Sequence, residues 1–239
     1  MLYTLDAVRD NIRNRDGKRV FFLGKQDRLT AAAQDYLDSE KIAILPAEEA
    51  KINRYQLLGG GYCDEKPEHM THLYGDVLVS KIHPRIAFRG AMDTLEAELL
   101  LCQLACGEKY KRPLEETLTL ARKLLACEVM EEPCREERLW GMTPEEIRSR
   151  SHRPQDYYGV PHFMPQVTDG AVILQLNRAR CAVRNAERSA VAAFTGSDGR
   201  LVRSDLVQML NRMSSLLYIL MIEEKGQNGT GNNYKGSPG

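Results

Sequence analysis

Residues 171–194, AVILQLNRARCAVRNAERSAVAAF, decide how this chain is read. Written as a helix, the stretch has two incompatible faces. Leu176, Ala179, Val183, Ala186 and Ala190 recur at steps of three and four, an apolar seam whose small residues let a neighbouring helix come close. Turned away from that seam are Asn177, Arg180, Arg184, Glu187 and Arg188. Three arginines within nine residues, with one carboxylate among them, make a compact cationic strip on a rigid support. Guanidinium groups hold phosphate oxygens in a fixed fork geometry, so the strip suits a polyphosphate. The competing account of the same charges is a solvated, salt-bridged helix face. Arg178 lies on this helix but off the strip.

Helical periodicity continues on both sides. From Ser204 to about Glu224, Leu206, Leu210, Met213, Leu217 and Leu220 keep a 4-3-4-3 rhythm suited to a bundle, and Asn211, Ser214 and Tyr218 share a polar side. In 85–106, Met92, Leu95, Leu99, Cys102 and Cys106 form a seam, with Arg89, Asp93, Glu96 and Gln103 on the polar side. Pro113 opens a helix through about Met130, carrying Leu114, Leu118, Ala121 and Leu125. Thr143-Pro144-Glu145-Glu146 is a capping box with proline at the first helical position, and starts a short helix. Residues 149–170, rich in proline, aromatics and histidine, read as a structured loop delivering side chains to a site. GSDGR at 196–200 is a turn, and the tail from 225 to 239 is low-complexity and expected to be disordered.

The N-terminal 60 residues read differently, as a small mixed α/β segment. Leu2, Leu5, Val8 and Ile12 fall on one helical face of residues 1–13. Val20–Leu23 and Ile42–Leu45 read as strands, and Thr30 caps a helix through about Leu37. Gly59-Gly60-Gly61 reads as a flexible joint, and is weak evidence for a phosphate loop because no helix with Lys-Ser/Thr follows it. Cys63, His69 and His72 are a thin metal set, three ligands with no fourth at a standard spacing.

The chain is 239 residues long, enough for one sizeable core, with 33 basic and 33 acidic side chains. That balance gives no reason to expect nucleic acid or an anionic membrane as partner, so any anion site is local. Neither a membrane-spanning run nor a signal-peptide core is legible, and the expected location is cytoplasmic. Six cysteines without paired C-x-x-C spacing are expected to be buried thiols in a reducing compartment.

Three stretches carry a family resemblance. SKIHPRIAFRGAMDTLEAEL at 80–99 places Lys81, Pro84, Arg85, Gly90, Asp93 and Leu95 in the pattern of the trimeric helical-bundle ATP:cob(I)alamin adenosyltransferases. Arg184-Asn185-Ala186-Glu187-Arg188 resembles that family's Arg-Arg-Ala-Glu-Arg signature, and Leu210-Asn211-Arg212-Met213-Ser214 its Leu-Asn-Arg-Leu-Ser. KPEHMTHLYGDVLVSKIHPRIAFRG at 66–90, with LTAAAQDYL at 29–37, is similar to the ethanolamine-utilization branch.

The resemblance implies a mainly α fold, an antiparallel five-helix bundle over 61–224, assembled as a homotrimer. It implies ATP and cobalamin as substrates, with Mg2+ accompanying the triphosphate. Cob(I)alamin would attack the 5′ carbon of ATP and expel tripolyphosphate. By similarity Arg184 and Arg188 contact ATP, helped by Arg180, and Asp93 pairs with an arginine of the strip across a subunit boundary. Lys81 and Asn211 complete the nucleotide pocket, Glu187 orients Arg184 or the ribose, and Thr71 and Gly75 stand where the family has its phosphate loop. Phe163 sits beneath the corrin and displaces its lower ligand. The implied partners are ethanolamine ammonia-lyase, its reactivase and a reductase, with a bacterial microcompartment as the possible setting. Some members of the branch carry His-x11-Cys-Cys-x2-Cys; aligned at Cys63 this chain reads Ala50, Tyr62, Cys63 and Lys66, so no resident metal is expected. The alternative is an adenosylcobalamin carrier with little catalysis, which would need corrin contacts but no triphosphate site.

Overall fold

The computed structural model describes residues 1–15, 17–50, 55–135 and 138–231. Among these the chain is mainly helical, with a seven-stranded mixed sheet, and it divides into two compact units, Met1–His83 and Pro84–Gly239.

In the first unit a parallel pair, β1 (Leu2–Tyr3) and β4 (Arg28–Leu29), stands apart from the main sheet. That sheet runs in the order β5 (Ala43–Pro46), β3 (Lys18–Leu23), β2 (Arg13–Arg15), β7 (Tyr62–Cys63), β6 (Tyr55–Leu57), β9 (Val77–Ser80) and β8 (Met70–Tyr74). Two helices, α1 (Leu5–Asp10) and α2 (Ala31–Ser39), bury Val8, Ala33 and Leu37 with Phe21 and Ile42. Thr30 caps α2 as its sequence predicts, its hydroxyl accepting from the Ala33 amide at 3.3 Å. Residues 1–13 are not one helix. Leu2 is drawn into β1 and stays exposed, while only Val8 of the predicted face is buried.

The glycine run is also not a joint. Gly59–Gly61 closes the antiparallel β6–β7 hairpin, where Gly60 and Gly61 have φ of 96° and 84°. A Cβ on Gly61 would stand 2.9 Å from the Ile12 carbonyl oxygen, so glycine is required there by space as well as by backbone conformation. Because β7, β8 and β9 pair into this sheet, the division between the two compact units falls after His83.

The second unit comprises α3 (Pro84–Cys106), α4 (Lys111–Val129), α5 (Pro144–His152), α6 (Pro154–Tyr158), α7 (Ala171–Phe194) and α8 (Ser204–Gly231). The decisive stretch is α7 to the residue, and all five of its seam residues are fully buried. Its small side chains bring α3 and α8 against it. The α3–α7 pair is antiparallel, since Phe88 meets Phe194 at one end and Glu98 meets Arg178 further along. The α7–α8 pair is antiparallel too, as Glu187 binds Asn211 and Arg180 covers Tyr218. Both arms of the predicted capping box on α5 form: Thr143 Oγ1 accepts from the Glu146 amide, and Glu146 Oε2 from the Thr143 amide.

The helix expected to stop near Glu224 continues to Gly231, so residues 225–231 are helical rather than a disordered tail. Lys225 and Glu224 explain the extension. Glu224 is buried against Lys109 and the Tyr110 hydroxyl, and Lys225 forms an ion pair with the buried Asp169. Residues 232–239, also read as disordered, lie outside the described residues. No helix among the described residues is long and apolar enough to cross a membrane.

Candidate functional site

The outward face of α7 meets the polar side of α8 and the loop after α6 at a cavity of about 640 Å3. This is within the ~300–1,000 Å3 usual for small-molecule sites. Arg180, Arg184 and Asn177 line it from α7, Asn211 and Tyr218 from α8, and Phe163 from the loop. The aromatic wall is built around Tyr218. Its ring stacks on His162 with centroids 5.8 Å apart and on Phe163 at 6.1 Å, while the Arg180 guanidinium lies 5.1 Å from its centroid. The His152 carbonyl can only accept, so it takes the His162 Nε2 proton at 3.1 Å; in the neutral ring Nδ1 then accepts from the Tyr218 hydroxyl. The Tyr218 oxygen in turn accepts the Phe163 amide at 3.4 Å. The proline-rich loop thus delivers side chains to a cavity, as its composition predicts.

Two of the arginines of α7 put positive charge on the wall of this cavity. Arg180 Nε is buried with no hydrogen-bond partner among the described residues. Burial, and then the neighbouring charge of Arg184, hold the Arg180 guanidinium below its ordinary pKa. A buried donor without a partner costs about 1–3 kcal/mol, so an acceptor bound there would recover that free energy.

Other predicted residues are placed elsewhere. Glu187 Oε1 accepts from Asn211 Nδ2 at 2.9 Å, and Asn211 Oδ1 accepts from Arg212 at 2.9 Å. The Asn211 amide is therefore fixed from both ends. Arg212 was legible only as one letter of the Leu-Asn-Arg motif, and nothing in its spacing marks it. Like Arg180, it has a buried, unpartnered Nε, and burial followed by the charge of Arg148 lowers its pKa. Arg188 does not line this cavity. It opens onto a separate groove of about 440 Å3 with Gly90 and Thr94 of α3, and Asp93 is exposed on the same helix.

Lys81, Thr71 and Gly75 belong to the β8–β9 hairpin and its end. Gly75 has a φ of 45° in the turn, and its carbonyl lies 2.9 Å from His72 Nδ1. Of the thin metal set, Cys63 is buried; its thiol is pushed up by burial and then by Asp64, and His72 is engaged by Gly75 and the Tyr55 ring. Among the described residues no group of three or more His, Cys, Asp or Glu side chains is arranged to hold a metal ion.

Five cysteines are buried, as expected, but Cys181 is exposed and lines the cavity between Arg180 and Arg184. Alkylation of the native protein should therefore modify one thiol rapidly, and Cys181→Ser should abolish that phase. Rapid labelling of several thiols would contradict this packing.

The family model described as cobalamin adenosyltransferase matches residues 61–224. Corrinoid adenosyltransferase EutT of Salmonella typhimurium is 30% identical over 158 residues, 66% of this chain and 59% of that protein. Corrinoid adenosyltransferase EutT of Escherichia coli K12 is 29% identical over the same shares. Corrinoid adenosyltransferase PduO of Citrobacter freundii is 32% identical over 156 residues, 63% of this chain and 45% of that protein. The alignments thus span about three-fifths of the length of the EutT relatives and less than half of PduO. The matched span holds both the arginine-bearing helix and the cavity it lines, and the chain belongs to the cobalamin adenosyltransferase family.

Proposed function

We propose that this protein transfers the 5′-deoxyadenosyl group of ATP to cob(I)alamin, forming the cobalt–carbon bond as the C5′–O bond breaks and tripolyphosphate leaves. The observation that carries this reading is Arg180, its buried Nε without a partner among the described residues, beside Arg184 in a cavity with an aromatic wall. The nucleophile is the substrate's own cobalt, so the chain has three tasks. It holds the two substrates in line, stabilises the negative charge of the departing tripolyphosphate and keeps water away. Arg180 and Arg184 serve the charge, Asn211 and Glu187 form a preset polar edge, and Phe163 presents an apolar face to the corrin. Lys81, Thr71 and Gly75 are proposed as nucleotide-binding residues, and Mg2+ is proposed to enter with the triphosphate.

The working molecule is proposed to be a homotrimer of antiparallel helical bundles. A corrinoid and a nucleotide together exceed a cavity of this size, so a second chain would complete the site. Two features favour a neighbouring copy. Leu100, Leu101 and Leu104 form an exposed apolar stripe on α3, with Leu104 83% exposed. Arg188 and Asp93 also face out of the single chain, as partners across a boundary would. Sedimentation at micromolar concentration should give a trimer; a monomer would count against the shared site. Supply of adenosylcobalamin to ethanolamine ammonia-lyase is part of the same proposal.

The test is to incubate the protein with cob(I)alamin, ATP and Mg2+ and follow adenosylcobalamin and tripolyphosphate together. Both should form one to one. Tight binding of adenosylcobalamin with no product would instead identify a carrier. Activity should survive chelation of tightly bound transition metal once Mg2+ is restored, because three of the branch's four metal-motif positions are Ala50, Tyr62 and Lys66. Recovery only with iron or zinc would overturn that.

A further inference from the structure

The extension of α8 beyond Glu224 reaches the loop that carries Phe163. Lys225 forms an ion pair with Asp169, whose side chain is 3% exposed, and its ammonium stands 5.6 Å from the centroid of the Phe163 ring. Asp169 is itself built into the end of the loop. Its Oδ2 accepts from the Gln166 amide at 2.8 Å in a reciprocal cap, and Gly170 then opens α7 with a φ of 90°. The paired Lys225 and then the Gln166 amide hold the Asp169 carboxyl below its ordinary pKa, so it is charged at neutral pH. Between the two anchor points the loop has little grip on the protein, since Met164 and Val167 are 83% and 86% exposed. One lysine therefore touches both ends of the 163–169 stretch, beside the bonds that His162 and the Phe163 amide make to Tyr218.

We propose that Lys225 is a positioning residue that latches the 159–170 loop, through Asp169, so that Phe163 stays stacked on Tyr218 as the wall of the corrinoid site. The proposal rests on the adenosyltransferase reading for its readout, but the latch itself is a feature of this chain. Methionine at 225 keeps a linear side chain and removes the charge. It thereby takes away the ion pair and the cation–π contact together, from a side chain that is 41% exposed and whose replacement leaves the core intact. The nucleotide side of the cavity, Arg180 and Arg184, is not touched by Lys225.

The experiment measures KM for cob(I)alamin and for ATP separately in wild type, Lys225→Met and the conservative Lys225→Arg. It adds limited proteolysis of the loop and a urea midpoint for each protein. In Lys225→Met the corrinoid KM should rise about 2- to 30-fold, the span expected for a lost cation–π contact. ATP KM should stay within about twofold, and cleavage within 159–168 should quicken by more than the accompanying fall in urea midpoint accounts for. Lys225→Arg, which keeps a cation for both Asp169 and the Phe163 ring, should stay close to wild type in corrinoid KM and protease resistance, so that the effect follows the charge and not the change of side chain. An unchanged corrinoid KM and unchanged cleavage in Lys225→Met would overturn the latch. So would equal rises in both KM values with a lowered midpoint. A wild-type protein that forms no adenosylcobalamin would sink the functional reading instead, and the cleavage data would still decide the latch.

Discussion

Glu128→Ala is expected to lower folding stability by about 3–5 kcal/mol, the usual cost of removing one partner from a buried ion pair. Glu128 is fully buried on α4, and both of its oxygens are taken. Oε1 accepts from Arg85 Nε at 2.6 Å and Oε2 from Arg89 Nε at 2.7 Å, while Arg85 also reaches Glu131 and the Glu128 carbonyl. The two arginines are 16% and 18% exposed and stand one turn apart at the start of α3, so this carboxylate ties the first two long helices together. Without it, two guanidiniums are left in a largely dry place. Glutamine at 128 keeps the shape and should be milder than alanine, though still destabilising. Urea unfolding at an unchanged m-value measures it; a loss under 1 kcal/mol for alanine would show that the arginines find water easily.

Arg184→Ala should reduce kcat/KM for ATP roughly 10- to 150-fold, since a hydrogen bond to a charged group contributes about 1.5–3 kcal/mol. Arg184 reaches the cavity from an exposed position, and its removal also relieves the charge that disfavours the Arg180 cation. The urea midpoint should therefore hold or rise while activity falls, which separates this variant from Glu128→Ala. Lysine at 184 should recover only part, because it keeps the charge and loses the fork. Arg178 does not serve as the neutral control its place off the strip suggests. Its guanidinium pairs with Glu98 of α3 at 2.7 Å, so Arg178→Ala removes a link between helices. Arg200, exposed in the turn after α7, is the better control.

How legible the molecule was depends on what kind of force placed each part. Helices long enough to show several turns of apolar period were legible: α7 falls on its predicted residues, and the seams of α3 and α8 are buried as read. Short strands were not. β7, β8 and β9 have two to five residues each, too few to alternate visibly, and they are held by pairing with partners distant in sequence. The end of α8 was missed for a related reason. Gly226 has poor helix propensity, and what keeps this turn helical is Lys225 on Asp169 and Glu224 on Lys109.

The site was legible as a set of letters but not as a geometry. The spacing of Arg180, Arg184 and Arg188 put them on one face, and a 3.6-residue period spreads such a face widely enough to serve two grooves. Tyr218, His162 and Arg212 carry no motif of their own and become informative only through contacts across 50 or more residues, or through burial. Arg85, by contrast, lies in the best-matched motif, and its contacts are those of a structural clamp.

The most direct test of the central claim is equilibrium binding of ATP with Mg2+, measured by calorimetry on wild type, Arg180→Ala, Arg184→Ala and Arg200→Ala at matched urea midpoints. The account predicts that Arg180→Ala and Arg184→Ala each weaken ATP about 10-fold or more while Arg200→Ala binds like wild type. Equal affinities across all four proteins would mean that the arginines of α7 are only a solvated face and that the triphosphate lies elsewhere.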